Sequence, residues 1–222
     1  MTPRLKLNRR LGSIVTLYGA LFFLIIGNAQ YVEEKNTSKI RLGVNLGVAS
    51  QDIFPLNNPD YLYENWSAKI QVSTPLWHYK EFRFNILLEP SIYFSEHQLL
   101  NKFFIQPRRG ENYLEQREQF TKRTSFEEFV LNAGILVQFN EDKFISPYLL
   151  GSVGPMISNY GTERLKKGFA FSDVLAIGFF TNFKPFILDL RFTLRHNSNA
   201  DLERPNNGHN SAGIETGISF KI

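Results

Sequence analysis

The amino-acid sequence predicts an all-β protein, an eight-stranded antiparallel up-and-down β-barrel of the outer-membrane type that follows a cleaved signal peptide. Three observations carry that expectation. Apolar and polar residues alternate with the two-residue period of a strand in eight separate segments. Several of these segments reach ten residues or more, the length a tilted strand needs to cross a bilayer. The connections alternate short and long, as in barrels with tight periplasmic turns and extended external loops.

Met1 to Arg10 carries Arg4, Lys6, Arg9 and Arg10 and no acid. Leu11 to Ile26 is largely apolar, and Gly27-Asn28-Ala29 places small residues at a cleavage position. That is the pattern of a secretory signal peptide over residues 1–29, and its apolar run is shorter than the ~20 residues of a spanning helix. Residues 30–222 remain as one barrel domain. The four leader cations account for the whole formal charge of +4, so nothing in the charge of the mature domain points to nucleic acid. With no cysteine in the chain, the fold does not rely on disulfides.

Ile40 to Val48 is the first alternating segment, apolar at even positions with Arg41, Gly43, Asn45 and Gly47 between. Trp66 to Val72 and Phe82 to Phe94 follow, again apolar at even positions. Phe129 to Phe139 is apolar at odd positions. Phe144 to Ser158 and Phe169 to Thr181 are less regular, and the pattern assigns no faces to the second of these. Phe186 to Leu194 and Ala212 to Ile222 complete the eight. The short connections lie near 77–81, 140–143 and 182–185, the long ones near 50–61, 97–125, 159–167 and 197–209.

Alternation alone does not say which face looks inward. A soluble lipocalin-like barrel, greasy inside and wet outside, is the alternative. Strand length, loop asymmetry and the small residues on the polar face (Gly43, Gly47, Gly134, Gly213, Gly217) favour a membrane barrel with a narrow, filled interior. Its apolar face then meets lipid, closure leaves no open edge in hydrocarbon, and Phe82, Phe94, Phe129, Phe139, Phe186 and Phe220 near strand ends are candidates for interfacial girdles.

One polar interruption stands out. His196 and Ser198 continue the apolar face of the seventh segment, and Asn210 begins the apolar face of the eighth. A hairpin register with His196 opposite Asn210 brings Ser198 opposite Gly208. Counting strands from a periplasmic N-terminus puts this cluster at the level of the outer leaflet. Residues two apart on a strand face lie ~7 Å apart, so an imidazole and a hydroxyl are neighbours there. A histidine that takes a serine proton, its ring held by a third group, is the arrangement of acyl-transfer nucleophiles, and Asn210 is a candidate for that third group by accepting from Nδ1–H. The plainer alternative is a polar strand end at headgroup level.

His196-Asn-Ser198-Asn199-Ala200, with Pro205-Asn206-Asn207-Gly208 after it, resembles the signature of the lipid A 3-O-deacylases (PagL-type outer-membrane enzymes, also called acyloxyacyl hydrolases). The resemblance implies His196 as general base, Ser198 as nucleophile on an ester carbonyl and Asn199 as an oxyanion-site donor, with Asn206 and Gly208 supporting the loop. It implies hydrolysis of the ester-linked chain at the 3 position of lipid A in the outer leaflet of a Gram-negative outer membrane, with no metal or cofactor. The sequence departs from the family pattern at two positions: Asn210 stands where the pattern has a catalytic glutamate, and Asp201 where it has glycine. Glu203 in the loop is a candidate substitute acid; Glu215, by its parity, points into the barrel.

The long loops carry Lys102, Arg108, Arg109, Lys122, Arg123, Arg164, Lys166 and Lys167, mixed with acids. They read either as a phosphate-binding surface for lipopolysaccharide or as an ordinary solvated face. A non-catalytic structural or adhesive barrel that retains the family scaffold is the alternative to the esterase.

Overall fold

The computed structural model describes residues 40–107, 112–183 and 185–222. The leader expected over 1–29 lies outside them, as do Arg108 and Arg109. Eight strands, β1 (Arg41–Ser50), β2 (Tyr61–Tyr79), β3 (Phe82–Leu99), β4 (Thr124–Phe139), β5 (Ile145–Ser158), β6 (Gly168–Phe183), β7 (Phe186–Ser198) and β8 (His209–Lys221), each pair with the next. β1 pairs antiparallel with β8 through Arg41–Lys221 to Ser50–Ala212, which closes the ring.

The strands run further than alternation alone indicated. β2 starts at Tyr61 and β3 ends at Leu99, so this hairpin consumes part of two expected loops. The second long loop also holds a 3-10 turn, Lys102–Phe104, capped by the Asn101 side chain, which accepts from the Phe103 N–H at 3.1 Å. A helix, Tyr113–Phe120, follows. It buries no residue and so has no apolar stripe for a sequence pattern to reveal.

The polar face is inside. In the middle layer Glu215 accepts from Lys69 Nζ at 2.7 Å and from Arg191 Nε at 2.8 Å, and Arg191 Nη2 donates to Glu89 at 2.8 Å. Toward the loops, Glu128 accepts from Arg195 Nη1 at 2.8 Å and from the Tyr63 hydroxyl at 2.9 Å, while the Arg195 guanidinium lies 3.6 Å over the Tyr93 ring. Toward the turns, Asp189 accepts from Asn45 and Tyr148 above an apolar floor that includes Leu87, Leu136, Leu150 and Phe180. Eight strands leave room only for interlocking side chains. At Gly217 even a Cβ would sit 2.5 Å from the Val44 carbonyl oxygen as well as on the Asn45 side chain, which is why glycine is required there.

The apolar face is outside, which overturns the lipocalin-like alternative. Leu46, Val48 and Ile177 are 60%, 64% and 63% exposed, an arrangement that only lipid satisfies over a whole wall. β6, whose faces the sequence left open, presents Phe169, Phe171, Asp173, Leu175, Ile177 and Phe179 outward, and Ala170, Val174, Ala176 and Phe180 inward. Near the short turns, Trp77 stacks on Phe84 at 4.3 Å, Phe82 meets Phe139 at 5.3 Å and Phe183 meets Phe186 at 5.4 Å. Trp66 stacks on Phe94 at 4.0 Å nearer the long loops. A test of orientation follows: Ile177→Arg, near the middle of β6, is expected to cost about 2–4 kcal/mol in urea unfolding from lipid vesicles. A soluble barrel with this face in water would tolerate the change.

Candidate functional site

β7 and β8 pair with His196 opposite Asn210, and the ladder ends one residue further at Asn197–His209. On the outward face the His196 Nδ1 stands 2.7 Å from Asn210 Oδ1. An amide oxygen accepts, so Nδ1 carries the proton in this pair and the Nε2 lone pair is left free. Both residues are half-buried, as is Ser198, two residues along the same face. The Ser198 hydroxyl makes no hydrogen bond to the ring among the described residues; nucleophile–base contacts of this kind often tighten only when substrate arrives.

Gly208 does not join the ladder opposite Ser198. Its φ of +70° is left-handed, and a Cβ there would lie 2.5 Å from the Asn197 carbonyl and 3.0 Å from His196 Cε1. Glycine therefore lets the loop close against the imidazole. The loop itself is a folded unit. Ala200 and Asp201 hold φ of +52° and +61° and are spanned by the Leu202 N–H to Asn199 carbonyl bond of 3.0 Å, the geometry of a type I′ turn. Glycine or aspartate suits such a position better than most residues, which accounts physically for Asp201 where the family pattern has glycine. Asn206 Oδ1 accepts from the Asn199 N–H at 2.8 Å, and its Nδ2 donates to Asp201 at 3.2 Å. Asn199, 2% exposed, donates one amide N–H to the Glu203 carbonyl at 2.7 Å. Its side chain is thus a brace of the turn in this structure.

A second loop clamps the first. Between β5 and β6, Leu165 forms an antiparallel bridge with Asn206. The Arg164 carbonyl accepts from Asn207 N–H at 2.7 Å, Arg164 Nε donates to the Gly208 carbonyl at 2.9 Å, and Thr162 Oγ1 lies 3.1 Å from His209 Nε2. Arg164, buried over the Tyr61 ring at 4.1 Å, is structural.

The substitute acid suggested by sequence is not delivered. Glu203 is paired with Lys166 at 3.0 Å on the exposed side of the loop, and Glu215 is inside with Lys69 and Arg191. Several loop cations are likewise engaged with acids of the same rim: Lys122 with Glu118, and Arg123 with Glu64 and Glu96. That favours the solvated-face reading of the loop charge. Sequence reasoning missed one residue. Asp173 of β6 faces outward directly opposite His196, and Phe171 faces outward opposite Ser198. The cross-strand register of a strand with two apolar faces could not be read from spacing.

Among solved structures, the chain resembles "the outer membrane enzyme PagL" at 13% identity and a TM-score of 0.54, covering 80% of this chain and 97% of that one. Neisserial surface protein A is matched at 12% identity and a TM-score of 0.48, covering 82% and 97%. No curated protein matches the sequence significantly. The family model described as "Lipid A 3-O-deacylase (PagL)" matches residues 39–219. With a lipid-facing wall, a closed ring of eight strands and a family match that spans nearly all of them, the chain is a Gram-negative outer-membrane β-barrel belonging to the lipid A 3-O-deacylase family.

Proposed function

We propose that this barrel hydrolyses the ester-linked acyl chain at the 3 position of lipid A, taken from the outer leaflet as part of lipopolysaccharide. The observation that carries the reading is the outward His196–Asn210 pair at 2.7 Å with Ser198 beside it, on a wall that otherwise offers hydrocarbon to hydrocarbon. Polar groups at such a depth are costly unless used, and a substrate that diffuses in the membrane plane meets them directly. His196 Nε2 takes the proton of Ser198 as Oγ attacks the ester carbonyl carbon. The ring then returns that proton to the departing 3-hydroxyl of the sugar. Water, activated in the same way, releases the fatty acid and restores Ser198. Asn210 fixes the tautomer throughout. Asn199, Asn206 and Gly208 support the loop in which an oxyanion would be held, Asn199 being the side-chain donor if its amide is released toward substrate.

The test is to purify the barrel in detergent, incubate it with lipid A and follow lipid A by mass spectrometry. Loss of one hydroxy-acyl mass supports the reading. An unchanged lipid A mass favours the non-catalytic scaffold, the alternative that an amide at position 210 keeps open. The rate is also expected to fall on the acid side as the imidazole of His196 protonates and can no longer act as base. A rate that does not change with pH on the acid side would exclude histidine from that role.

A further inference from the structure

Two lipid-facing polar oddities adjoin each other. Among the outward positions of β5 to β8, Asp173 is the one acidic side chain in the described residues, and the register sets it directly opposite His196. Directly opposed residues of antiparallel strands have Cβ atoms ~4.5–5.5 Å apart. The imidazole is therefore flanked on one side by Asn210 at 2.7 Å and on the other by a carboxylate. A charge facing hydrocarbon with no basic partner is expensive, and no ion pair involves Asp173 among the described residues, so its position calls for a use.

Asn210 supplies one half of what a triad acid does. Its oxygen orients the ring, but it carries no charge to offset the imidazolium that forms when Ser198 gives up its proton. We propose that Asp173 is a positioning residue for His196, supplying from β6 the negative charge that β8 lacks at Asn210, so that the acid function of the site is divided between two strands. This rests on the esterase reading above. Asp173 and His196 face the same outer surface from directly opposed positions of β6 and β7. The other titratable neighbours do not fill the role. His209 of β8 lies on the inner face, Asp201 accepts from Asn206, and Glu203 is held by Lys166.

Asp173→Asn keeps the shape and removes the charge. Its expected effect is a loss of roughly 10- to 100-fold in kcat, the size of a single charge acting over several ångströms at an intermediate effective dielectric. The acid limb of its rate profile moves to lower pH, because the imidazolium loses a stabilising neighbour. Asp173→Glu retains most of the rate, and Asn210→Glu in the Asp173→Asn background restores it. Asp173→Asn with wild-type rate and an unmoved acid limb overturns the proposal. Should wild-type protein leave lipid A intact, the esterase reading falls, and the charge pairing is still decided by NMR titration of the His196 ring in detergent. A midpoint lower in Asp173→Asn than in wild type upholds the pairing; identical midpoints refute it.

Discussion

Ser198→Ala and His196→Ala are each expected to reduce deacylation of lipid A by roughly 10⁴- to 10⁶-fold, the range in which removing a nucleophile or its base leaves only binding and oxyanion stabilisation. The double variant should be scarcely worse than either single one, because the two side chains act as a unit. Neither change should disturb folding. Both residues sit on the outer face at the end of β7, and each substitution makes that face more apolar. Folded and heat-denatured barrels can be separated by gel mobility, so lost activity is distinguishable from lost structure. Asn210→Ala, which removes the 2.7 Å partner of Nδ1, should cost less, on the order of 10- to 100-fold, since the ring loses orientation but keeps its basic nitrogen. Full activity in Ser198→Ala would remove the serine from the chemistry.

The second large effect concerns stability. Glu215→Ala is expected to destabilise the barrel by about 3–5 kcal/mol, the usual consequence of stripping one partner from a buried ion network. Lys69 and Arg191 both donate to Glu215, at 2.7 Å and at 2.8 Å through Arg191 Nε, and all three side chains are almost fully buried. Without Glu215, Arg191 retains Glu89, while Lys69 loses its ion-pair partner in a space too narrow for much water. Replacing Lys69 and Glu215 together, as Lys69→Met and Glu215→Leu, should recover much of the loss, because Arg191 keeps Glu89 and no unpaired charge is left behind. Urea unfolding in vesicles of the single and double variants measures both; equal stability of Glu215→Ala and wild type would show that the network contributes nothing net.

The barrel was legible because most strands contrast their faces. In β1, Arg41, Gly43, Asn45 and Gly47 alternate with Leu42, Val44, Leu46 and Val48, so period and face are read together. β6 lacks that contrast, since Ala170, Val174, Ala176 and Phe180 pack against other interior side chains while Leu175 and Ile177 face lipid. The same interior packing made its faces unreadable and hid Asp173. The His196–Ser198–Asn210 group was legible as a break in a greasy face, and the hairpin parity placed His196 opposite Asn210 correctly. What parity cannot convey is the course of a loop after the ladder stops. Gly208 leaves the sheet to close on the imidazole, and Glu203 turns to Lys166 rather than to the ring. Both depend on tertiary contacts with the neighbouring loop.

That neighbouring contact bears on how such a protein is altered. The segment from Thr162 to Lys166 holds the tip that follows Ser198 through a backbone bridge, two carbonyls and a guanidinium. The unit of inheritance at this rim is therefore a pair of hairpin tips rather than one. A chimera that transplants 199–208 onto another small barrel without 159–167 carries the letters of the motif but not the mould that shapes it, and sequence variation in the two tips should be read jointly.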